Sequence, residues 1–363
     1  MHETRRTCRP TGFTLVELLV VIGIIALLIS ILLPALGSAR RQANTVKCGA
    51  TLRNIMQAQQ VYASQNNGWM AGSANTSGIA FMSLGSFATP PGPYNETNAP
   101  SYTHINDWHA PLARIMKIGF NDGPTAVNRK ERFRQLVSHP AFGCPENTDT
   151  LMTFFGGTNW GAVPYPAINM AFIFTLTPNA GPVPANVSTT SHTNRTGGNM
   201  TSGGPAYDPP VGYGPKISKI RNPSSKIAFA DGSRSTRGEP PTYDNAISGA
   251  GGGMYADQGA WSSFTRAWYR GQAPGNGATG QDARIFAYRH GLRKPGSRAD
   301  SMKMQAVFWD GHVELLGDLQ SADPKLWMPS GTQVQAARSA TAGICPDAYD
   351  RYWGGRTGTV TIN

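Results

Sequence analysis

Several groups in this sequence are of types that do chemistry, and their spacing says what kind. His290, Asp310 and His312 come together near the C-terminal end. Two imidazoles and a carboxylate could ligate a metal or exchange protons. However, Asp310-Gly311 is a favoured type I′ turn pair, so Asp310 is expected to set a turn and His312 to lie on a solvated strand face. His104, Asp107 and His109 form a similar set. Asp107 stands just before a helical pattern and reads as its N-cap. The cysteines are Cys8, Cys48, Cys144 and Cys345. None lies in a C-x-x-C pair, which leaves zinc-finger and thioredoxin frameworks unsupported. Cys48 and Cys144 read either as a disulfide or as two buried thiols. Asp244, Asp257 and Asp282 lack the spacing of an EF-hand. No G-x-S-x-G, H-E-x-x-H or kinase set occurs, and the run SGAGGG at 248–253 lacks the Gly-Lys-Ser/Thr ending of a phosphate loop. No catalytic residue, metal site or cofactor is therefore assigned.

One more ionisable group sits where it should be costly. Thr14 to Leu33 reads TLVELLVVIGIIALLISILL, with Glu17 its single charge. At a 1.5 Å rise this segment is about 30 Å long, one hydrocarbon thickness. Arg5, Arg6 and Arg9 precede it, so the short N-terminus should stay cytoplasmic and the rest should pass outward. An ordinary secretory signal is one reading, with Ala35-Leu36-Gly37 as the cleavage site. The run is longer than a usual signal core and carries a carboxylate. A plain anchor is a second reading, but an intramembrane carboxylate usually has a purpose.

The elements that must position these groups differ sharply along the chain. Pro34 should interrupt or kink the apolar helix. Beyond it, Cys48, Leu52, Ile55 and Tyr62 recur on one helical face, with Gln59 as a polar gap, and this stripe is expected to pack on a globular head. Asn66-Asn67-Gly68 is a stop signal. A continuous helix from Phe13 to Gln65 would run about 80 Å. From Trp69 onward Gly, Pro, Asn, Ser and Thr dominate. Trp108–Gly119 is expected to be a short helix with Leu112, Ile115 and Met116 on one face and Gly119 at its end. Residues 128–137 read as another helix, and 177–215 as a long loop. Lys226–Gly232 (KIAFADG) and Met304–Leu316 (MQAVFWDGHVELL) read as strands ending in turns, the second a hairpin about Asp310-Gly311. The net charge is +11. Its basic residues are scattered and not interleaved with aromatics, so no nucleic-acid partner is assigned.

A resemblance explains the glutamate. Gly12-Phe13-Thr14-Leu15-Val16-Glu17 resembles the type IV prepilin processing site, G-F-T-L-x-E. It implies a cut after Gly12 by a prepilin peptidase/methyltransferase, methylation of Phe13, and retention of the apolar helix. It implies an assembly role for Glu17, which would pair with the amino terminus of a neighbouring pilin-like subunit. An ammonium and a carboxylate stranded in an apolar bundle strongly favour meeting. Other stations resemble a prepilin-like family of planctomycete-type bacteria. Arg289-His290-Gly291 followed by Phe308-Trp309-Asp310-Gly311-His312-Val313 is similar to its C-terminal histidine and Asp-Gly signature (His290, Asp310, Gly311), here with a longer loop, GLRKPGSRADS. Cys48, Leu52, Arg53 and Ile55 resemble its C-x-x-x-L-R-x-I segment, and Phe142-Gly143-Cys144-Pro145 its F-x-C-P element.

The implied fold is α+β and pilin-like: a long N-terminal transmembrane and amphipathic helix packed on a β-rich, loop-rich head. The expected divisions are a leader at 1–12, a transmembrane and assembly helix at 13–36, its continuation into the head at 37–67, and an extracytoplasmic head at 68–363. The implied function is a structural pilin or pseudopilin subunit of a type II secretion or type IV pilus assembly, not an enzyme. It would sit as a single-pass protein in the inner membrane or in a periplasmic filament. The rival expectation is a membrane-tethered or secreted binding protein or metal-dependent enzyme.

Overall fold

The computed structural model describes residues 14–71, 109–121, 135–136, 139–146, 152–153, 164–169, 207–208, 216–233, 236–237, 242–243, 255–256, 288, 290–291, 300–335, 350–352, 354 and 359–363. The chain divides into two compact units, Met1–Asn44 and Thr45–Asn363.

Helix α1 runs over Leu15–Gln65 and crosses the boundary between the units. It is rich in Leu, Ile and Ala, good helix formers or residues that pack well in one. It passes through Pro34 without a break, against the interruption that proline suggests. Proline removes one N–H and leaves the Ser30 carbonyl without its i+4 donor, which a long apolar helix tolerates. Within the first unit every large apolar side chain from Leu15 to Leu36 is exposed. A helix apolar all round belongs in lipid or among other helices. By length and composition it can cross a membrane, the one such helix among the described residues.

In the second unit the helix changes character. Cys48, Leu52, Ile55, Gln59 and Tyr62 are all buried, together with Met56, Ala58 and Ala63. The expected stripe is present, and Gln59 goes into the core with it. The helix stops at Gln65 because Asn67 and Gly68 take positive φ, at +53° and +82°. Gly68 N–H then donates to the Ala63 carbonyl at 2.8 Å, closing the last turn.

The second helix, α2, is shorter than expected, His109–Ile115. It buries His109, Ala110, Leu112 and Ala113. Ile115 and Met116 are only half-buried, so the inner face is rotated from the one expected. Lys117, not Gly119, takes the left-handed position at φ +58°, and Ile118 N–H bonds the Ala113 carbonyl at 2.8 Å.

The strands are β1 (Met152–Thr153), β2 (Pro164–Asn169), β3 (Tyr207–Asp208), β4 (Ile227–Ser233), β5 (Thr236–Arg237), β6 (Thr242–Tyr243), β7 (Tyr255–Ala256), β8 (His290–Gly291), β9 (Met302–Phe308), β10 (Val313–Gly317), β11 (Gln333–Gln335) and β12 (Thr359–Thr361). The central sheet is ordered β10-β9-β4-β2-β7, with β8 also on β9. Two small sheets, β1-β6-β5 and β12-β11-β3, complete the set among the described residues. Strand β3 lies inside the stretch expected to be one long loop. Of the expected helix at 128–137, only 135–136 are described, and they are helical. Strand β4 does not end in a turn at Asp231-Gly232, as its Asp-Gly pair suggested. It continues to Ser233 because β2 pairs along it, from Ile168↔Phe229 to Pro164↔Ser233.

Strands β9 and β10 form the expected hairpin, with Val313 opposite Val307. The turn differs from the two-residue type. Gly311 N–H bonds the Phe308 carbonyl at 2.9 Å, and Phe308 N–H bonds the His312 carbonyl at 2.9 Å. Gly311 has φ +96° while Asp310 keeps negative φ, so Trp309-Asp310-Gly311 is a longer loop closed by a left-handed glycine. Met304 to Trp309 are all buried, so β9 is covered on both faces instead of alternating.

Candidate functional site

Strand β9 has two partners on the edge opposite β10. Strand β4 pairs with it from Ile227↔Phe308 to Ala230↔Ala306, and β8 takes over at His290↔Lys303. At this handover the ladder is completed by a side chain. Asp231 Oδ2 accepts from Gln305 N–H at 3.0 Å. The same carboxylate oxygen lies 3.0 Å from His290 Nε2. From α1, Cys48 Sγ–H donates to Asp231 Oδ1 at 3.0 Å. From the segment after a 3-10 turn at Pro140–Phe142, Cys144 Sγ comes within 3.8 Å of His290 Nε2. The other ring nitrogen, Nδ1, is 3.0 Å from Thr45 Oγ1. Gln305 Nε2 in turn donates to the Thr45 carbonyl at 3.1 Å. The donor-type atoms of Cys48, Cys144, Asp231 and His290 all lie within 4.8 Å of one another.

Each placement has a local cause. Cys48 begins the buried helical stripe. Phe142 is fully buried against His109, with ring centroids 5.1 Å apart, and anchors Cys144 two residues on. Asp231 follows the fully buried run Ile227–Ala230. Gly291 holds His290 in the sheet with φ +75°, where a Cβ would collide with the Ser301 carbonyl oxygen.

The cluster is buried: Cys48, Cys144, Asp231 and His290 are 2%, 6%, 3% and 3% exposed. Burial alone would lower the His290 pKa. The hydrogen bonds to Asp231 and Cys144 and the Asp231 charge outweigh it and raise it to about 9. The Cys48 thiol is pushed well above its ordinary range by its contact with Cys144, by burial and by the Asp231 charge. A protonated, buried thiol is a poor nucleophile. A nucleophile–histidine–carboxylate relay uses both ring nitrogens. Here Cys144 and Asp231 meet the same nitrogen, so the geometry is one of convergence on a point.

Cys48 and Cys144 thus come together, as thiols and not as a disulfide. His290 joins them, but its carboxylate partner is Asp231. Asp310 sits exposed at the hairpin tip, where its Oδ1 accepts from His312 N–H at 3.1 Å and lies 2.6 Å from His312 Nδ1. His312 stacks on Phe308 at 4.2 Å and is half-exposed. Asp310 and Gly311 therefore build the turn. His104 and Asp107 lie outside the described residues, and His109 is a buried packing residue of α2.

Gly12 and Phe13 also lie outside the described residues. Glu17 is on the first turn of α1. Its Oε2 accepts from Thr14 N–H at 2.9 Å and from Thr14 Oγ1–H at 2.7 Å, while Glu17 N–H donates to Thr14 Oγ1 at 3.3 Å. This is a capping box, written in the sequence as Thr-x-x-Glu.

Residues 9–33 match the family described as the Prokaryotic N-terminal methylation motif. The Type IV wide pilus major component PilA4 of Thermus thermophilus is 42% identical to this chain over 79 residues. That stretch is 22% of this chain and 56% of PilA4, so the chain spans little more than half of that relative. Over part of its length the chain is thus similar to type IV pilins. No solved structure matches. The pilin-like character thus rests on the methylation motif, the apolar helix carrying it and an α+β head. The residues that sequence reasoning missed are Asp231 and Thr45. The signal for Asp231 was a carboxylate inside the apolar run KIAFADG, masked by its resemblance to a turn.

Proposed function

We propose that this chain is a pilin or pseudopilin subunit of a type IV pilus or type II secretion assembly. The observation that carries the reading is a methylation motif at 9–33 placed on a helix whose apolar side chains are exposed all round. A prepilin peptidase/methyltransferase cuts after Gly12 and methylates Phe13. The leader is then 1–12, the assembly helix 13–36, its continuation 37–67 and the head 68–363. Before assembly the helix spans the inner membrane once, with the head outside the cytoplasm. In the filament the helices of neighbouring subunits replace lipid by dispersion contacts. The new Phe13 ammonium of one subunit pairs with Glu17 of the next and sets the axial register. The chain acts through packing, not through a reaction of its own.

The test is mass spectrometry of the N-terminal peptide of the mature protein. N-methylated Phe13 is the expected terminus. A terminus at Ser38 would replace this reading with a secreted protein, and an intact leader would replace it with a plain anchor.

A further inference from the structure

We propose that Cys48, Cys144, Asp231 and His290 bind one divalent transition-metal ion of the zinc type in a closed structural site. This is independent of the filament reading and would stand if that reading failed.

The donor set selects the ion. Two sulfurs and an imidazole are ligands for zinc-type ions, whereas calcium and magnesium take oxygen. Size agrees. Bond lengths of about 2.0–2.3 Å give a tetrahedron with edges of roughly 3.3–3.8 Å between ligand atoms. The spacings here are 3.0 Å for Cys48 Sγ to Asp231 Oδ1, 3.0 Å for His290 Nε2 to Asp231 Oδ2, and 3.8 Å for Cys144 Sγ to His290 Nε2. All the ligand atoms fit within 4.8 Å of one another. Small movements about a central ion would satisfy them all.

The surroundings are those of a metal site. Metal-bound histidine usually uses its second nitrogen in an outer hydrogen bond that fixes the ring. Thr45 Oγ1 supplies that bond to Nδ1, directing Nε2 into the cluster. Asp231 is oriented by the Gln305 N–H, and the Gln305 side chain holds the Thr45 carbonyl. Four protein ligands leave no open coordination position, and all four are buried. Such a site is structural, not catalytic. Its ligands come from α1, the segment after the Pro140–Phe142 turn, β4 and β8. One ion would therefore staple the head half of the helix to the sheet, a role in which a disulfide could join only two of these segments.

The experiment uses the full-length chain, purified in detergent without chelators. Metal analysis is expected to find about one zinc-type ion per chain. Cys144→Ser and Asp231→Asn each remove one of the four ligands and should lose most of the bound ion on dialysis, while His312→Ala, at the exposed hairpin, should retain it. Protein produced with cobalt should show the intense visible bands of tetrahedral cobalt with thiolate ligands. Because the ligand variants could fail to fold, the wild-type cobalt spectrum decides by itself. Wild-type protein that carries no metal and gives no such spectrum would overturn the proposal. So would a Cys48–Cys144 disulfide in the non-reducing peptide map, or full metal retention in both ligand variants.

Discussion

Gly291 ties backbone geometry to the buried cluster and allows a quantitative test. It has φ +75°, and a Cβ there would collide with the Ser301 carbonyl oxygen and lie 3.3 Å from Lys303 Cγ. Gly68 has a similar φ of +82° but nothing within 4 Å of its Cβ position. Alanine at either position meets the left-handed penalty of roughly 1–2 kcal/mol. Only at Gly291 does it also meet a backbone atom, because β8 is paired to β9 at His290↔Lys303 and Gly291↔Met302. Overpacking of that kind costs about 1–3 kcal/mol more. Gly291→Ala should therefore lose about 2–5 kcal/mol and Gly68→Ala only about 1–2 kcal/mol. Denaturant unfolding of the detergent-solubilised chain would measure both, with buried Trp309 and Trp327 as fluorescent reporters. If the two variants agree within about 0.5 kcal/mol, the close approach of β8 to Ser301 is wrong.

Three further outcomes follow from named contacts. Glu17→Gln keeps a capping side chain but loses the charge. Subunit incorporation into sheared filaments should fall as far in Glu17→Gln as in Glu17→Ala, whereas recovery in the glutamine variant would reduce Glu17 to a helix cap. Leu52, 2% exposed in the helical stripe, should lose about 2–5 kcal/mol on Leu52→Ala in the same unfolding assay. Lys226 is buried, with Nζ donating to the Lys325 carbonyl at 2.7 Å. Burial lowers its pKa to about 8 against the attraction of Asp323. Between that value and its ordinary 10.5 the unfolded chain binds the extra proton, so stability should rise with pH across this window. The rise should flatten in Lys226→Met, and an identical pH slope in both proteins would refute it.

What the sequence made legible was local. The Cys48–Tyr62 stripe, the Asn67-Gly68 stop and the β9–β10 hairpin each follow from patterns a few residues long. The capping box was equally local, but Thr14-x-x-Glu17 was hidden inside a motif with a stronger reading. The ends of α2 and β4 depended on surroundings. Lys117 accepted the left-handed conformation without being glycine, and the Asp231-Gly232 pair stayed extended because β2 lies alongside. The cluster was the least legible. His290 meets Asp231, Cys144 and Thr45 across 59, 146 and 245 residues of chain. No periodicity encodes such contacts: Cys48 and Cys144 could be considered as a pair and His290 by itself, but nothing joined them to one another or to Asp231.

The packing of the helical stripe has a consequence for the order in which the protein matures. A Cβ on Gly49 would sit 3.4 Å from Val313 Cγ1, and Gln305 reaches the Thr45 carbonyl. The partners of an early helix are thus strands near the far end of the chain. During synthesis this part of the helix emerges long before those strands do, and contacts so distant in sequence form slowly. Folding of the head is therefore a late event that awaits nearly the whole polypeptide. A chain cut short before β9 would keep the Asp231 partner of Cys48 but lack the Gln305 and Val313 neighbours of Thr45 and Gly49.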